Sequence, residues 1–321
     1  MSPAKNILPA LVLAFITPVL TELLSGNVPA PVFFLPWVYA LLIVVYGLPV
    51  LLIRELFIKW KLTLPGLFLL GLAYGIFNEG VCAKTLLLAD KVPIDAFDHD
   101  TWLGINFPWA SLIVPWHALH AIIFPIALVT WWFPAAARTS WLSRKAFGIT
   151  SVLLSILGAV VYLGNKKAVT SPPYLIFFVV VMTALIFLSK RASRAGPFLE
   201  PIGRSTLWPA AAGFTFYPVL VLGLTIAAGL KLPGIVICLL GILLLAVYYR
   251  MLVRRGWLAL TPFVLFALGD YFSGSLFTGL VMLAKGSLVG VITQLVLMGA
   301  FALGITKAHR LVPTSTPSSH A

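Results

Sequence analysis

Five ionisable side chains lie inside long apolar stretches of this sequence: Glu22, Glu79, His117, His120 and Asp270. A charge held in hydrocarbon costs several kcal/mol, so such residues usually face one another or a hydrated cavity. They mark the part of the chain with the greatest capacity for chemistry.

The two histidines are three residues apart, which places them on one face of a helix. This spacing can supply two ligands to a divalent metal such as zinc, or one ligand and one acid–base group. Glu79 is then a candidate general base for a water molecule, and Asp270 orients or completes the ligand set. We therefore take Glu79, His117, His120 and Asp270 as candidate catalytic residues, and the two histidines as candidate metal ligands.

The composition is that of a membrane protein. Hydrophobic residues make up 61% of the 321 residues, charged residues make up 10%, and the mean hydropathy is +1.05. Backbone polar groups in a bilayer must be paired within the spanning structure, so the apolar stretches predict an all-α polytopic transmembrane helical bundle. About ten spans are expected, at 7–24, 32–53, 64–88, 106–133, 146–163, 173–189, 206–229, 232–249, 257–283 and 286–305.

Lysine and arginine fall mainly in every second connection between these spans. The positive-inside rule therefore predicts that the N-terminus and the C-terminus are both cytoplasmic. We expect residues 1–310 to form one transmembrane domain in a bacterial inner membrane, and residues 311–321 to form a disordered cytoplasmic tail. The net charge of +13 lies in short clusters that flank apolar stretches, which indicates the lipid bilayer as partner and disfavours nucleic acid.

Depth in the membrane predicts which polar residues can meet. A helix rises about 1.5 Å per residue, so Glu79 on the third span and His117 on the fourth lie at similar depths, in the middle or outer layers. The two spans are joined directly, and we expect these side chains to face each other. Whether Glu22 and Asp270 join them is left open by the sequence.

Several motifs in order resemble a family of bacterial multi-pass membrane proteins of unassigned function. The resemblance covers about residues 15–135 and implies a membrane location, not an activity. The family has two adjacent acids before a glycine, and this chain has Asn78 in place of the first. The motifs are Tyr46-Gly47, Leu51-Leu52-Ile53-Arg54-Glu55, Leu72-Ala73-Tyr74-Gly75-Ile76, Glu79-Gly80, Trp102-Leu103-Gly104-Ile105-Asn106, His117 and Phe124-Pro125-Ile126.

A second resemblance is to the CAAX-protease and bacteriocin-processing family of intramembrane metalloproteases. Glu79 with Lys84, and Trp116 with His120, are similar to two motifs of that family, and Asp270 stands where a third is expected. The chain departs from the pattern: one glutamate is missing, lysine replaces arginine at a shifted spacing, and the third-motif histidine is missing.

Three functions are compatible with these residues. The first is an intramembrane metal-dependent hydrolase, in which a wet pocket, a base and a polarising group act together. The second is a proton-coupled transporter or permease, since buried carboxylates and histidines form proton relays. The third is a non-catalytic assembly partner whose polar groups only hold helices together. The substrate is not indicated by the sequence.

Overall fold

The computed structural model describes residues 7–87, 92, 94–165, 172–192 and 206–310. These residues are mostly helical. A short hairpin pairs strand β1 (Thr101–Trp102) with strand β2 (Ile105–Asn106) in antiparallel register. The predicted tail 311–321 lies outside the described residues.

The described residues contain ten apolar helices, which form a bundle. They are α1 (Ile7–Leu23), α2 (Pro36–Lys59), α3 (Leu64–Cys82), α4 (Phe107–Trp132), α5 (Arg144–Gly164), α6 (Pro172–Arg191), α7 (Trp208–Gly229), α8 (Gly234–Arg254), α9 (Leu260–Ala284) and α10 (Leu288–Arg310). The connections add a one-turn helix and three short 3₁₀ turns, at Ala30–Phe33, Thr85–Leu87, Asp95–Phe97 and Pro134–Ala136.

The predicted all-α polytopic class is confirmed. Within the described ranges, nine helices are long and apolar enough to cross a membrane, and α1 is shorter than these nine. The third helix ends at Cys82 and not at 88, because Lys84 adopts a left-handed backbone with φ of 60°, which an α-helix does not continue through. The second begins at Pro36 and not at 32, after the separate one-turn helix.

The helices form a buried core and an outer ring. In α4, 89% of the spanning window is buried, whereas the value is 11% in α5 and α6 and 17% in α8 and α10. Helix α4 contacts α1, α3, α8 and α9, and it is therefore the centre of the bundle. The peripheral helices present apolar side chains outward, as lipid-facing helices do.

Two glycines on one face of α3 set its distance from α4. A β-carbon on Gly71 would lie 2.7 Å from the α-carbon of Ala118, and one on Gly75 would lie 2.7 Å from the carbonyl oxygen of Val114. Glycines four residues apart allow helix backbones to approach closely in membranes. Glu79 is one further turn along the same face, so this packing directs it at α4.

At the end of the bundle opposite Glu79, Arg54 and Glu55 form a buried polar cluster, which we call the Arg54–Glu55 clamp. The two side chains pair at 2.9 Å, and the Arg54 guanidinium also donates to the carbonyls of Ala136 and Ala137 at 3.2 and 3.1 Å. Trp141 places its ring 3.7 Å from the guanidinium carbon and donates its backbone N–H to Glu55. The clamp fixes the connection between α4 and α5 to the end of α2.

Candidate acid–histidine cavity

Four helices each contain one π-helical segment, and each segment carries candidate site residues. Glu22 lies in Val19–Leu23 of α1, and Tyr46 lies in Ile43–Gly47 of α2. Asn78 and Glu79 lie in Phe77–Cys82 of α3, and both histidines lie in His117–Ile123 of α4. The described residues of the other six helices contain no such segment. Single π turns inside α-helices occur frequently at functional sites.

Glu79 and His117 form what we call the cavity pair. The Glu79 Oε1 atom lies 2.7 Å from His117 Nε2, and the Asn78 Nδ2 atom lies 3.3 Å from the same nitrogen. The other carboxylate oxygen of Glu79 accepts a hydrogen bond from Thr85, whose hydroxyl in turn accepts from Trp109 Nε1 at 3.1 Å. His117 Nδ1 is buried and has no hydrogen-bond partner among the described residues.

A short hydrogen-bonded chain extends the cavity pair to Glu22 on α1. Asn78 Nδ2 lies 3.4 Å from the Tyr46 hydroxyl, which donates to Glu22 Oε1. Asn27 donates to Glu22 Oε2 at 2.7 Å. The sequence left open whether Glu22 joins the site, and the structure shows that it does. Lys84 does not pair with Glu79; it donates to the Asn165 carbonyl at 2.7 Å.

These side chains line a cavity of about 780 Å³, which we call the acidic cavity. It follows α4 from Trp109 to His117, and its rim includes the exposed residues Asn27, Leu222 and Lys285. It therefore reaches from the cavity pair to the end of the bundle that holds the α1–α2, α3–α4 and α9–α10 connections. A volume of this size accommodates a drug-sized molecule.

His120 and Asp270 form a separate contact, which we call the sealed pair. His120 Nε2 lies 2.7 Å from Asp270 Oδ2, and both side chains are fully buried. The ring of Trp116 stacks on His120 with centroids 3.6 Å apart and separates it from the acidic cavity, which His120 does not line. Asp270 Oδ1 is buried without a hydrogen-bond partner in the described part of the chain.

An apolar cavity of about 310 Å³ lies on the other side of the sealed pair. Phe124 belongs to its lining and packs edge-on against His120, with centroids 5.3 Å apart. The lining continues to Leu64 and Pro65 at the start of α3. His120 therefore lies between Trp116, a wall residue of the acidic cavity, and Phe124, a wall residue of the apolar cavity.

The geometry does not fit a metal ion shared by the two histidines. His117 and His120 face different carboxylates, and no group of three His, Cys, Asp or Glu side chains among the described residues is placed to hold a metal. A zinc site at these two positions is not supported by the described residues and stays a prediction from the sequence.

The four candidate site residues therefore divide into two pairs. The structure brings Glu79 to His117 and Asp270 to His120, but it does not bring all four to one point. The sequence analysis missed Tyr46, Thr85 and Trp109 as partners. The spacing of Gly71, Gly75 and Glu79 is the sequence signal that could have indicated the close contact of α3 with α4.

The apolar helices and the buried polar groups between them define an integral, multi-pass membrane protein. The chain belongs to an uncharacterized membrane protein family, whose model matches residues 11–313. No curated protein and no solved structure matches it. The resemblance to a family of multi-pass membrane proteins is thereby confirmed, whereas the likeness to the CAAX-protease family has no support from these comparisons.

Proposed function

We propose that this protein is a proton-coupled carrier. The observation that supports this function best is the position of the sealed pair between two cavities that open at different parts of the molecule. Carriers place titratable groups near the middle of the bundle and expose them to each side in turn. The histidines of the cavity pair and of the sealed pair lie on the same π-helical segment of α4, so a rearrangement there moves both imidazoles together.

In this proposal the structure corresponds to a state in which the acidic cavity is open and the sealed pair is closed off by Trp116. Gain or loss of a proton by the cavity pair changes the hydrogen bonds that link it to Glu22 through Asn78 and Tyr46. A second state would expose His120 and Asp270 toward the apolar cavity. The predicted orientation would place the acidic cavity on the outer side of a bacterial inner membrane.

Reactivity of single cysteines in each cavity tests this function. In a background with Cys82→Ala and Cys238→Ala, we would introduce Ile113→Cys in the acidic cavity or Phe68→Cys in the apolar cavity. A membrane-impermeant thiosulfonate would be applied to the protein in liposomes across a range of pH. A carrier gives rates that change in opposite directions at the two positions as its population shifts between states.

The control for this experiment uses two histidines. His120→Gln should remove the opposite pH dependence, whereas His309→Gln, at an exposed position near the end of α10, should leave it unchanged. Rates that are independent of pH at both cysteine positions would contradict the carrier proposal.

A hydrolase is the second candidate, and one observation favours it. A carboxylate on one imidazole nitrogen with the other nitrogen unpartnered is the arrangement of a general base, and Glu79 and His117 have it. If the protein is a hydrolase, the opposite pH dependence of cysteine modification in the two cavities should be missing. This function also predicts hydrolysis of a nitrophenyl ester that is lost in His117→Gln and kept in His309→Gln.

A further inference from the structure

We infer that the acidic cavity binds a hydrophobic organic cation. This inference rests on the proposed function, because it takes the acidic cavity as the place where the carried molecule binds. It concerns the charge and shape of that molecule, which neither the family nor the helical fold indicates.

The polar wall of the acidic cavity carries negative charge. Glu22 and Glu79 both line it, and within the described residues neither has a lysine or arginine partner. Lys285 is the one basic residue in the described lining other than His117, and it lies at the exposed rim. Buried carboxylates without a cationic partner favour a ligand that brings the positive charge.

Glu22 supplies a carboxylate that is not shared with a histidine. The Tyr46 hydroxyl and the Asn27 amide both donate to it. Glu79, in contrast, is shared with His117. The cavity therefore holds one carboxylate paired with an imidazole and one that has only neutral hydrogen-bond donors.

Aromatic and apolar side chains make up much of the remaining wall, together with uncharged polar residues such as Thr21, Ser25 and Thr225. Rings from four helices, α2, α4, α7 and α9, line the space, and they provide the faces that attract cations. Together with leucine, valine and methionine side chains they favour a ligand with a hydrophobic body over a small hydrated ion, because apolar surface does not replace lost water of hydration. The aromatic side chains in the lining are Tyr46, Trp109, Trp116, Tyr217 and Phe277.

The site is also not saturated by its own residues. His117 is 3% exposed and lines the cavity, yet its Nδ1 atom has no partner among the described residues. Buried polar atoms in proteins nearly always have a partner, so this atom indicates a group that the cavity receives from outside.

A pair of ions with matched shape tests the inference. Tetraphenylphosphonium and tetraphenylborate have the same four phenyl groups and opposite charges, so their comparison separates charge recognition from hydrophobic partitioning. We expect radiolabelled tetraphenylphosphonium to bind the purified full-length protein saturably, as measured by equilibrium dialysis in detergent. Unlabelled tetraphenylborate, added in excess over the labelled cation but below the concentration at which the two ions precipitate, should not displace the bound cation.

Variants then assign the binding to the acidic cavity. Glu22→Gln and Glu79→Gln should each weaken tetraphenylphosphonium binding by about tenfold or more, because each removes a charge in a medium of low dielectric constant. Asp95→Asn removes one negative charge from an exposed position near the same end of the bundle and should leave the affinity unchanged. Size-exclusion chromatography confirms that each variant is folded.

Three results would overturn the inference: equal binding of both ions, binding of the cation that both glutamine variants retain, or no saturable binding of the cation. The outcome is separate from that of the cysteine experiment. Cation binding with pH-independent cysteine reactivity would keep this inference and reject the carrier. Opposite pH responses of the two cysteines without cation binding would keep the carrier and reject this ligand class.

Discussion

The Arg54–Glu55 clamp and the cavity pair both place ionisable groups inside an apolar bundle, but they differ in how completely the polar atoms of those groups are hydrogen-bonded. In the clamp, the guanidinium and the carboxylate bond to each other and to the α4–α5 connection. The Arg54 guanidinium donates to backbone carbonyls there and lies over the Trp141 ring, and the Glu55 carboxylate accepts from Ser140 and from the Trp141 backbone. The cavity pair borders about 780 Å³ of space and leaves His117 Nδ1 without a partner in the described structure.

We expect this difference to distinguish a cluster that only stabilises the fold from one that takes part in function. A saturated buried ion pair is costly to break, because removing one member leaves an uncompensated charge. A cluster at a cavity that contains a polar atom without a partner already has the free-energy cost of that missing hydrogen bond. Binding of a ligand or a proton can remove this cost. The sequence presents both clusters in the same way, as charged residues in an apolar stretch.

The largest effect is expected at the clamp. Arg54→Ala leaves Glu55 buried without its cation and should lower the free energy of unfolding by about 3–5 kcal/mol. Thermal and denaturant unfolding of the detergent-solubilised protein measures this. Arg250→Ala, at an exposed position of α8, is the matched control and should change the value by less than about 0.5 kcal/mol. A loss of similar size in both variants would show that the buried partners of Arg54 give it no special role in stability.

Next in size is a change that pushes the cavity pair apart. Gly75→Ala places a methyl group 2.7 Å from the Val114 carbonyl oxygen, and overpacking of this kind costs about 1–3 kcal/mol. Gly148→Ala is the control, because a β-carbon there meets nothing within 4 Å. If both variants unfold at the same temperature, the close approach of α3 to α4 does not hold the site.

Trp141→Phe should have a smaller effect on the clamp. The variant loses the hydrogen bond from Trp141 Nε1 to the Ala136 carbonyl, which is 2.9 Å long, and part of the cation–π contact with Arg54. We expect a loss of about 1–2 kcal/mol in the free energy of unfolding. Trp102→Phe, in an exposed position on β1, provides the reference. If the free energy of unfolding of Trp141→Phe is unchanged, the indole ring does not contribute to the stability of the clamp.

The smallest change in stability is expected for Glu79→Gln. This variant keeps a hydrogen-bonding side chain and removes a carboxylate that has no lysine or arginine partner among the described residues. The free energy of unfolding should stay within about 1 kcal/mol of the parent or rise, as is common when a functional site is neutralised. A loss as large as that of Arg54→Ala would make the cavity pair a second structural clamp.

Much of the helical framework was predictable because hydrophobic length is a direct physical signal. The predicted spans agree with the observed helices to within a few residues at most ends, and Glu79 meets His117 at the depth that helix rise indicates. The larger disagreements have local causes, such as the left-handed backbone at Lys84 that ends α3 early.

The division of the site into two pairs was not predictable in this way. His120 and Asp270 are 150 residues apart, and only the packing of α9 against α4 brings them together. Adjacent residues of an ordinary α-helix, such as Asn78 and Glu79, point about 100° apart. Both reach His117 because a π turn has more residues per turn, so neighbouring side chains diverge less. No hydrophobic pattern indicates a π turn.

The four π-helical segments also make this protein sensitive to the number of residues in its helices. An α-helix turns by about 100° per residue, so deleting one residue within such a segment would rotate everything beyond it relative to everything before. Deletion of Ala118, for example, would convert the π-helical segment of α4 into an α-helical turn. The half of α4 that packs less firmly would then rotate about the helix axis, and its side chains would point in new directions. A shortened chain of unchanged hydrophobicity would still insert as a bundle, but its acids and imidazoles would no longer meet.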